Sequence, residues 1–320
     1  MRNLFLLIIL LAGFVSTPAR SYDSDIVTLP YDPANGDTFY YRIRKSDVTE
    51  GEKAKVKPVS LSDVSIEFLG LQEDGYIYKL SYLSMGPEDK NLAAIPAVKQ
   101  ALAMFEGLSF EYIADETGSP LAVRDLQKVK EWLLGPAFDL LEKTGSSKET
   151  MQQMRTFFGN MSAESTAELL LKDIGFIFMY TGTEFSMTEQ YEAENRGVWN
   201  MTGTELVTHV RTEVVSVNDG LATLRTRSGY TRESVMHGIE TLMAQMIPNM
   251  APEKKDEMQA AFREMESFDL RQEFDAEVSI ADGWPSQIKG VTVTDVGKAK
   301  RTITYEISRL SEGQALARAE

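Results

Sequence analysis

The stretch Phe274-Asp-Ala-Glu-Val-Ser-Ile-Ala-Asp-Gly-Trp-Pro285 reads as an alternating strand that ends in an Ala-Asp, Gly and Pro turn. An earlier stretch, Phe110-Glu-Tyr-Ile-Ala-Asp-Glu-Thr-Gly-Ser-Pro120, has the same form. Moving outward from each, the match continues in the same order. Asp74-Gly75 between apolar-alternating runs (Val64 to Leu69, Tyr76 to Tyr82) corresponds to Asp219-Gly220 between Val207–Val217 and Leu221–Tyr230. Both are hairpin signals, because Gly tolerates the positive φ that tight turns need. Gly36-Asp-Thr-Phe39 opens the first series and Gly182-Thr-Glu-Phe185 the second, about 146 residues later. This is the mark of an internal duplication.

Between return strand and closing strand each copy changes to a helical period. Ile95, Val98, Leu102 and Phe105 mark the first insert. The second insert, residues 231–268, is longer and reads as a hairpin of two helices. Its arms are marked by Val235, Ile239, Leu242, Met243 and Met246, then Met258, Phe262 and Met265, with a corner at Pro248. Residues 45–60 are charged and aperiodic, and are read as a loop. Residues 144–181 join the copies as a helical connector, with capping-box patterns at Ser146-Ser-Lys-Glu149 and Ser165-Thr-Ala-Glu168.

The expected fold is therefore α+β: two tandem copies of a curved antiparallel β-sheet unit with helical inserts. The expected division is a signal peptide over 1–19, a first unit over 20–143, the connector over 144–181 and a second unit over 182–320. The first segment rests on Arg2, the apolar run Leu4–Val15 and the small residues of Thr17-Pro-Ala19, too short for a comfortable membrane span. It points to a periplasmic or secreted protein with no stable membrane insertion of the mature chain. With no cysteine anywhere, a lipobox is excluded and a bacterial envelope fits better than a disulfide-bearing eukaryotic one.

Composition narrows the chemistry. With 48 acidic against 33 basic residues, the chain lacks the basic footprint that nucleic acid requires. It has no nucleophilic cysteine and no Gly-x-Ser-x-Gly elbow, and only His209 and His237 could act as imidazole bases. No catalytic residue, metal ligand set or cofactor is assigned. Asp115 and Asp282 occupy matching turns, as do Asp74 and Asp219, and turn duty accounts for all four. Methionine is the unusual residue: 12 of 15 lie between Met151 and Met265, and Met243, Met246 and Met250 share one helical face. Thioethers can bind Cu(I), but adaptable apolar packing explains the stripe more simply.

The duplicated strand–hairpin–helix–strand unit behind a signal peptide resembles exported bacterial families of unknown function. Its sheet-with-helices plan is similar to the periplasmic lipoprotein-carrier fold. That likeness is one of fold and carries no function by itself; the leading expectation is a hydrophobic ligand or lipid moiety as partner. The expected ligand-binding residues, taken from the insert's apolar stripes, are Val235, Ile239, Leu242, Met243, Met246, Met258, Phe262 and Met265. The alternative function is an envelope protein–protein interaction or assembly module, and a carboxylate-based hydrolase comes third.

Overall fold

The structure is a computed structural model that describes residues 25–51, 54–103, 107–131, 151–152, 155–156, 159–199, 202–246, 268–296 and 299–317. Its strands are β1 (Ile26–Leu29), β2 (Thr38–Gly51), β3 (Lys55–Gln72), β4 (Gly75–Pro87), β5 (Ser109–Ala114), β6 (Pro120–Val123) and β7 (Thr183–Ser186). They continue with β8 (Tyr191–Trp199), β9 (Thr204–Asn218), β10 (Leu221–Tyr230), β11 (Phe268–Ser279), β12 (Pro285–Val296) and β13 (Ala299–Leu310). Eleven of them form one antiparallel sheet in the order β6-β5-β4-β3-β2-β13-β12-β11-β10-β9-β8, while β1 and β7 make a separate pair.

This corrects the expected α+β class. The protein is mainly β rather than α+β with helical inserts, and its halves are joined edge to edge in one continuous sheet, which the sequence alone left open. The seam is β2 against β13, in register from Ala299↔Gly51 to Leu310↔Tyr40. The misreading has a physical cause in residues 45–60, which extend β2 and begin β3. There the face that carries apolar residues elsewhere carries Lys45 and Asp47, so the period of two disappears although the ladder continues. Strand β8 was hidden for a related reason: it is an edge strand, exposed along most of its length and studded with Glu192, Glu194 and Arg196. Edges are commonly protected in this way against pairing with other chains.

Alternation assigns the two faces. Tyr41 and Ile43 of β2, Val64 and Ile66 of β3, Tyr78 and Leu80 of β4, Leu224 of β10, Phe274 and Ala276 of β11 and Tyr305 and Ile307 of β13 are buried on the inner face. The outer face carries cross-strand ion pairs, among them Arg225–Asp275 at 2.7 Å, Arg227–Glu273 at 3.1 Å and Arg44–Glu306 at 3.2 Å. Such a surface suits water. A lipid-facing barrel wall would be apolar.

What covers the inner face is the end of the connector. Helix Ala163–Leu170 is capped by Ser162, whose Oγ accepts from Ser165 N–H at 3.1 Å, three residues before the expected cap. The other expected box, at Ser146, lies outside the described residues. Beyond the helix, Leu171, Ile174, Phe176, Ile177, Phe178 and Tyr180 form a buried strap. Phe176 packs against Phe274 and Tyr305, with ring centroids 4.5 and 5.1 Å away. Phe178 meets Tyr78 at 5.4 Å and Trp284 at 5.2 Å, both edge-on, the favoured geometry for aromatic pairs. The Tyr180 hydroxyl donates to Thr226 Oγ1 at 3.0 Å. One short segment thus touches β4, β10, β11 and β13, from both halves of the sheet. The turn before β12 is pinned as tightly: Gly283 has φ +71°, and a Cβ there would fall 1.8 Å from the Pro30 carbonyl oxygen.

The two hairpin turns are not equivalent. In the second, Asp219 (φ 51°) and Gly220 (φ 78°) are both left-handed and form the whole two-residue loop between the paired Asn218 and Leu221. In the first, Glu73 and Asp74 form the loop, and only the following Gly75 has positive φ. Asp219 is the one described residue other than glycine with positive φ.

Two outcomes follow from this packing. Phe178→Ala is expected to lower stability by about 3–5 kcal/mol in urea unfolding, as loss of a large buried ring does. Asp219→Val is expected to cost about 1–2 kcal/mol through left-handed strain, while Asp219→Asn stays within about 0.5 kcal/mol of the parent in the same assay.

Candidate ligand-binding site

The expected site residues are only partly brought together. Val235 and Ile239 lie one turn apart on helix Arg232–Met246, Val235 buried and Ile239 half-buried. The helix is docked on the sheet by Ser234, whose Oγ accepts from the Val207 N–H of β9 at 3.0 Å. Leu242, Met243 and Met246 continue the same helix. Met258, Phe262 and Met265 fall outside the described residues. His209 and His237 are both exposed, on β9 and on this helix. Asp115 Oδ1 accepts from the N–H groups of Thr117 and Ser119 at 2.8 and 2.9 Å. Asp282 accepts from Trp284 N–H at 3.1 Å and from Arg309 at 2.8 Å. Burial acts to raise the pKa of Asp282, but the Arg309 and Trp284 hydrogen bonds outweigh it and the net shift is downward. Both acids hold turns, as Asp residues beside Gly commonly do.

A group that the sequence did not single out lies on the inner face beside the strap. A register shift between Lys45 and Asp47 sets Lys57 directly across from Asp47. From the other neighbour, Arg301 of β13 grips the same carboxylate with two parallel bonds, Nε to Oδ1 at 2.9 Å and Nη2 to Oδ2 at 2.7 Å. Lys57 Nζ donates to Oδ2 as well. Asp47 is buried, and the Arg301 hydrogen bonds, aided by Lys57 against the opposing effect of burial, hold its pKa far below the ordinary carboxylate range.

Two residues earlier on β2, Lys45 donates to Asp173 at 2.9 and 3.1 Å, and its ammonium lies 5.1 Å from the centre of the Tyr305 ring. Asp173 belongs to the strap's short helix Lys172–Gly175, so this ion pair ties strap to sheet. Tyr305 is buried, yet its hydroxyl has no hydrogen-bond partner among the described residues. Burial raises its pKa, as does nearby Asp173, so the phenol remains a protonated donor at neutral pH. Lys172 completes the group. It is exposed and makes no ion pair among the described residues, although Asp173, Lys45, Arg301 and Glu168 all act on it electrostatically. Partial desolvation by the surrounding protein is the main cause lowering its pKa.

These residues come from β2, β3, β13 and the connector, and no local motif could have gathered them. The one signal was Lys45 and Asp47 at a spacing of two in a segment read as loop. Elsewhere, a trough of about 950 Å³ runs over Gly229 on the outer face, lined by His209, Arg211, Arg227, Arg271 and Glu273. A cleft of about 340 Å³ is bounded by Leu108, Phe110, Val129 and Lys128. Among the described residues, no three His, Cys, Asp or Glu side chains converge as a metal site, and no helix is long and apolar enough to cross a membrane.

No protein-family model matches the chain, and no curated protein matches it in sequence. Solved structures give distant likenesses. Lipovitellin, in a structure described for its lipid–protein interactions, matches at 6% identity and a TM-score of 0.40, over 88% of this chain and 26% of that one. The chain thus spans about a quarter of lipovitellin's length. A protein classed as a lipoprotein from Parabacteroides distasonis gives 7% identity and a TM-score of 0.27, over 88% of this chain and 99% of that one. An outer membrane channel from Pseudomonas putida F1 gives 7% identity and a TM-score of 0.18, over 88% and 97%. None of these figures transfers a function.

The depressed pKa of Asp47 has a definite consequence for stability. Its folded value lies below its unfolded one, so the stabilisation is complete above the ordinary carboxylate pKa of about 4 and is lost as the pH falls toward the folded value. Asp47→Asn is therefore expected to be less stable at neutral pH. Between about pH 4 and pH 2 it should lose less further stability than the parent, in urea titrations at fixed ionic strength.

Proposed function

We propose that this chain is a non-enzymatic binding protein for a hydrophobic small molecule or a lipid moiety, working in the bacterial envelope after export. The single observation that carries the reading is the incomplete cover of the inner face. Where the strap lies, inner residues such as Ala222, Leu224, Phe274, Ala276 and Ile307 are buried. Farther along β9, β10 and β11, the inner residues Leu206, Val210, Tyr230 and Leu270 are only half-buried. An apolar face that the described residues do not finish covering is a place for an apolar guest. Helix Arg232–Met246 stands beside it, and its methionine-bearing last turns suit a wall that repacks around a guest.

The export step rests on the sequence of residues 1–19, which lie outside the described residues. The division of the chain into two units joined by a connector likewise remains a proposal, supported by the shared order of hairpin, helix and strand in each half. The charged outer face supports a protein surrounded by water rather than one set in lipid.

The test uses an apolar fluorescent dye. Met243→Glu combined with Met246→Glu should abolish dye binding with the far-UV spectrum unchanged, while the corresponding Leu pair should retain it, because volume and apolarity are roughly preserved. Dye binding by the Glu pair equal to that of the parent would remove the helix from the site.

A further inference from the structure

The inner-face group beside the strap has donor capacity that no described residue uses. Lys172 offers an ammonium with no ion pair among the described residues. The buried Tyr305 hydroxyl, on a residue 1% exposed, has no partner there either. Arg301 spends Nε and Nη2 on Asp47 and makes no Nη1 bond among the described residues. The three belong to one cluster: Lys172 adjoins Asp173, which accepts from Lys45 beside the Tyr305 ring, and Arg301 and Lys45 both act on Lys172. A buried polar atom without a partner is uncommon enough in folded proteins to need a reason.

The charges agree. Lys45, Lys57, Lys172 and Arg301 meet Asp47 and Asp173, with Glu168 acting on Lys172 from the preceding helix. This leaves an excess of cation inside a chain whose net charge is −15. Asp47 and Asp173 are already engaged by Arg301, Lys57 and Lys45, so the excess is concentrated at Lys172. Ile303 and Tyr305 share the inner side of β13 with Arg301 and are buried, so the group lies against the apolar core.

We propose that Lys172, Tyr305 and the free edge of Arg301 form a binding site for the anionic head group, carboxylate or phosphate, of a single-chain amphiphile. This rests on the apolar-ligand reading above and specifies its ligand class. The head group accepts from Lys172 and from the Tyr305 hydroxyl, and the chain extends along the half-buried inner face. Hydrogen bonds to an ionised acceptor are the stronger kind, so the site discriminates by charge as well as by length. Tyr305 and Lys172 bind and orient. Asp47 acts as a positioning residue that holds Arg301.

The experiment measures affinities of the delipidated full chain for dodecanoate, dodecanol and inorganic phosphate by calorimetry at neutral pH. Dodecanoate should bind at least about tenfold tighter than dodecanol, with inorganic phosphate far weaker than either. Lys172→Gln and Tyr305→Phe should each shrink the acid-to-alcohol ratio while leaving dodecanol affinity unchanged. Lys172 is exposed, so its variant tests the idea even if the Tyr305 variant folds poorly. Equal binding of acid and alcohol by the parent would overturn the head-group site and leave the apolar site standing. Binding of neither would overturn the apolar reading itself. Inorganic phosphate binding as tightly as dodecanoate would make this a free-anion site and overturn the amphiphile.

Discussion

Phe176 and Phe178, two residues apart on the strap, hold the molecule together. One faces Phe274 and Tyr305, the other Tyr78 and Trp284, so the two rings tie strands of both halves to a single segment. A large antiparallel sheet with one apolar face must cover that face, and fully burying each large side chain contributes roughly 1.5–3 kcal/mol. The burial of Trp284 and the placing of Lys45 against Asp173 both depend on this cover. Without it, the inner rows of Tyr, Phe and Ile would face water.

The same arrangement explains where a site can exist. A strap that filled the whole inner face would leave a core and nothing else. This one stops short, and its Asp173 pairs with Lys45 of β2, next to the cluster of Asp47, Lys57 and Arg301. These ion pairs do two jobs. They fix the strap's register on β2, and they place cationic groups beside apolar surface, the combination that an amphiphile requires.

Much of the strand framework was readable because most strands alternate cleanly. Phe274, Ala276 and Val278 point inward exactly where the period of two puts them, and both hairpins stand at their acidic turns. The fold class was not readable, and neither was the charged group. Alternation reports which face is buried but not which strand lies next to which, so nothing local could reveal that β2 pairs with β13. Asp47 looked like loop because a buried carboxylate with two cationic partners has the same sequence signature as an exposed one. The strap was masked differently. Phe176-Ile-Phe-Met-Tyr180 is a continuous apolar run without period, and its role as cover for a sheet depends on the tertiary structure alone.

The β2–β13 seam also has a bearing on time. During synthesis β2 is made some 250 residues before its eventual neighbour β13, so one side of β2 stays without a partner until those residues have followed. The centre of the finished sheet is therefore the last place to close. Through that interval the growing chain exposes a long, partly apolar strand edge, open to pairing with the wrong strand or the wrong molecule. The charges that obscured residues 45–60 in the sequence now acquire a second meaning. Asp47 is held by Lys57 from the β3 side, and its second partner, Arg301, arrives only with β13.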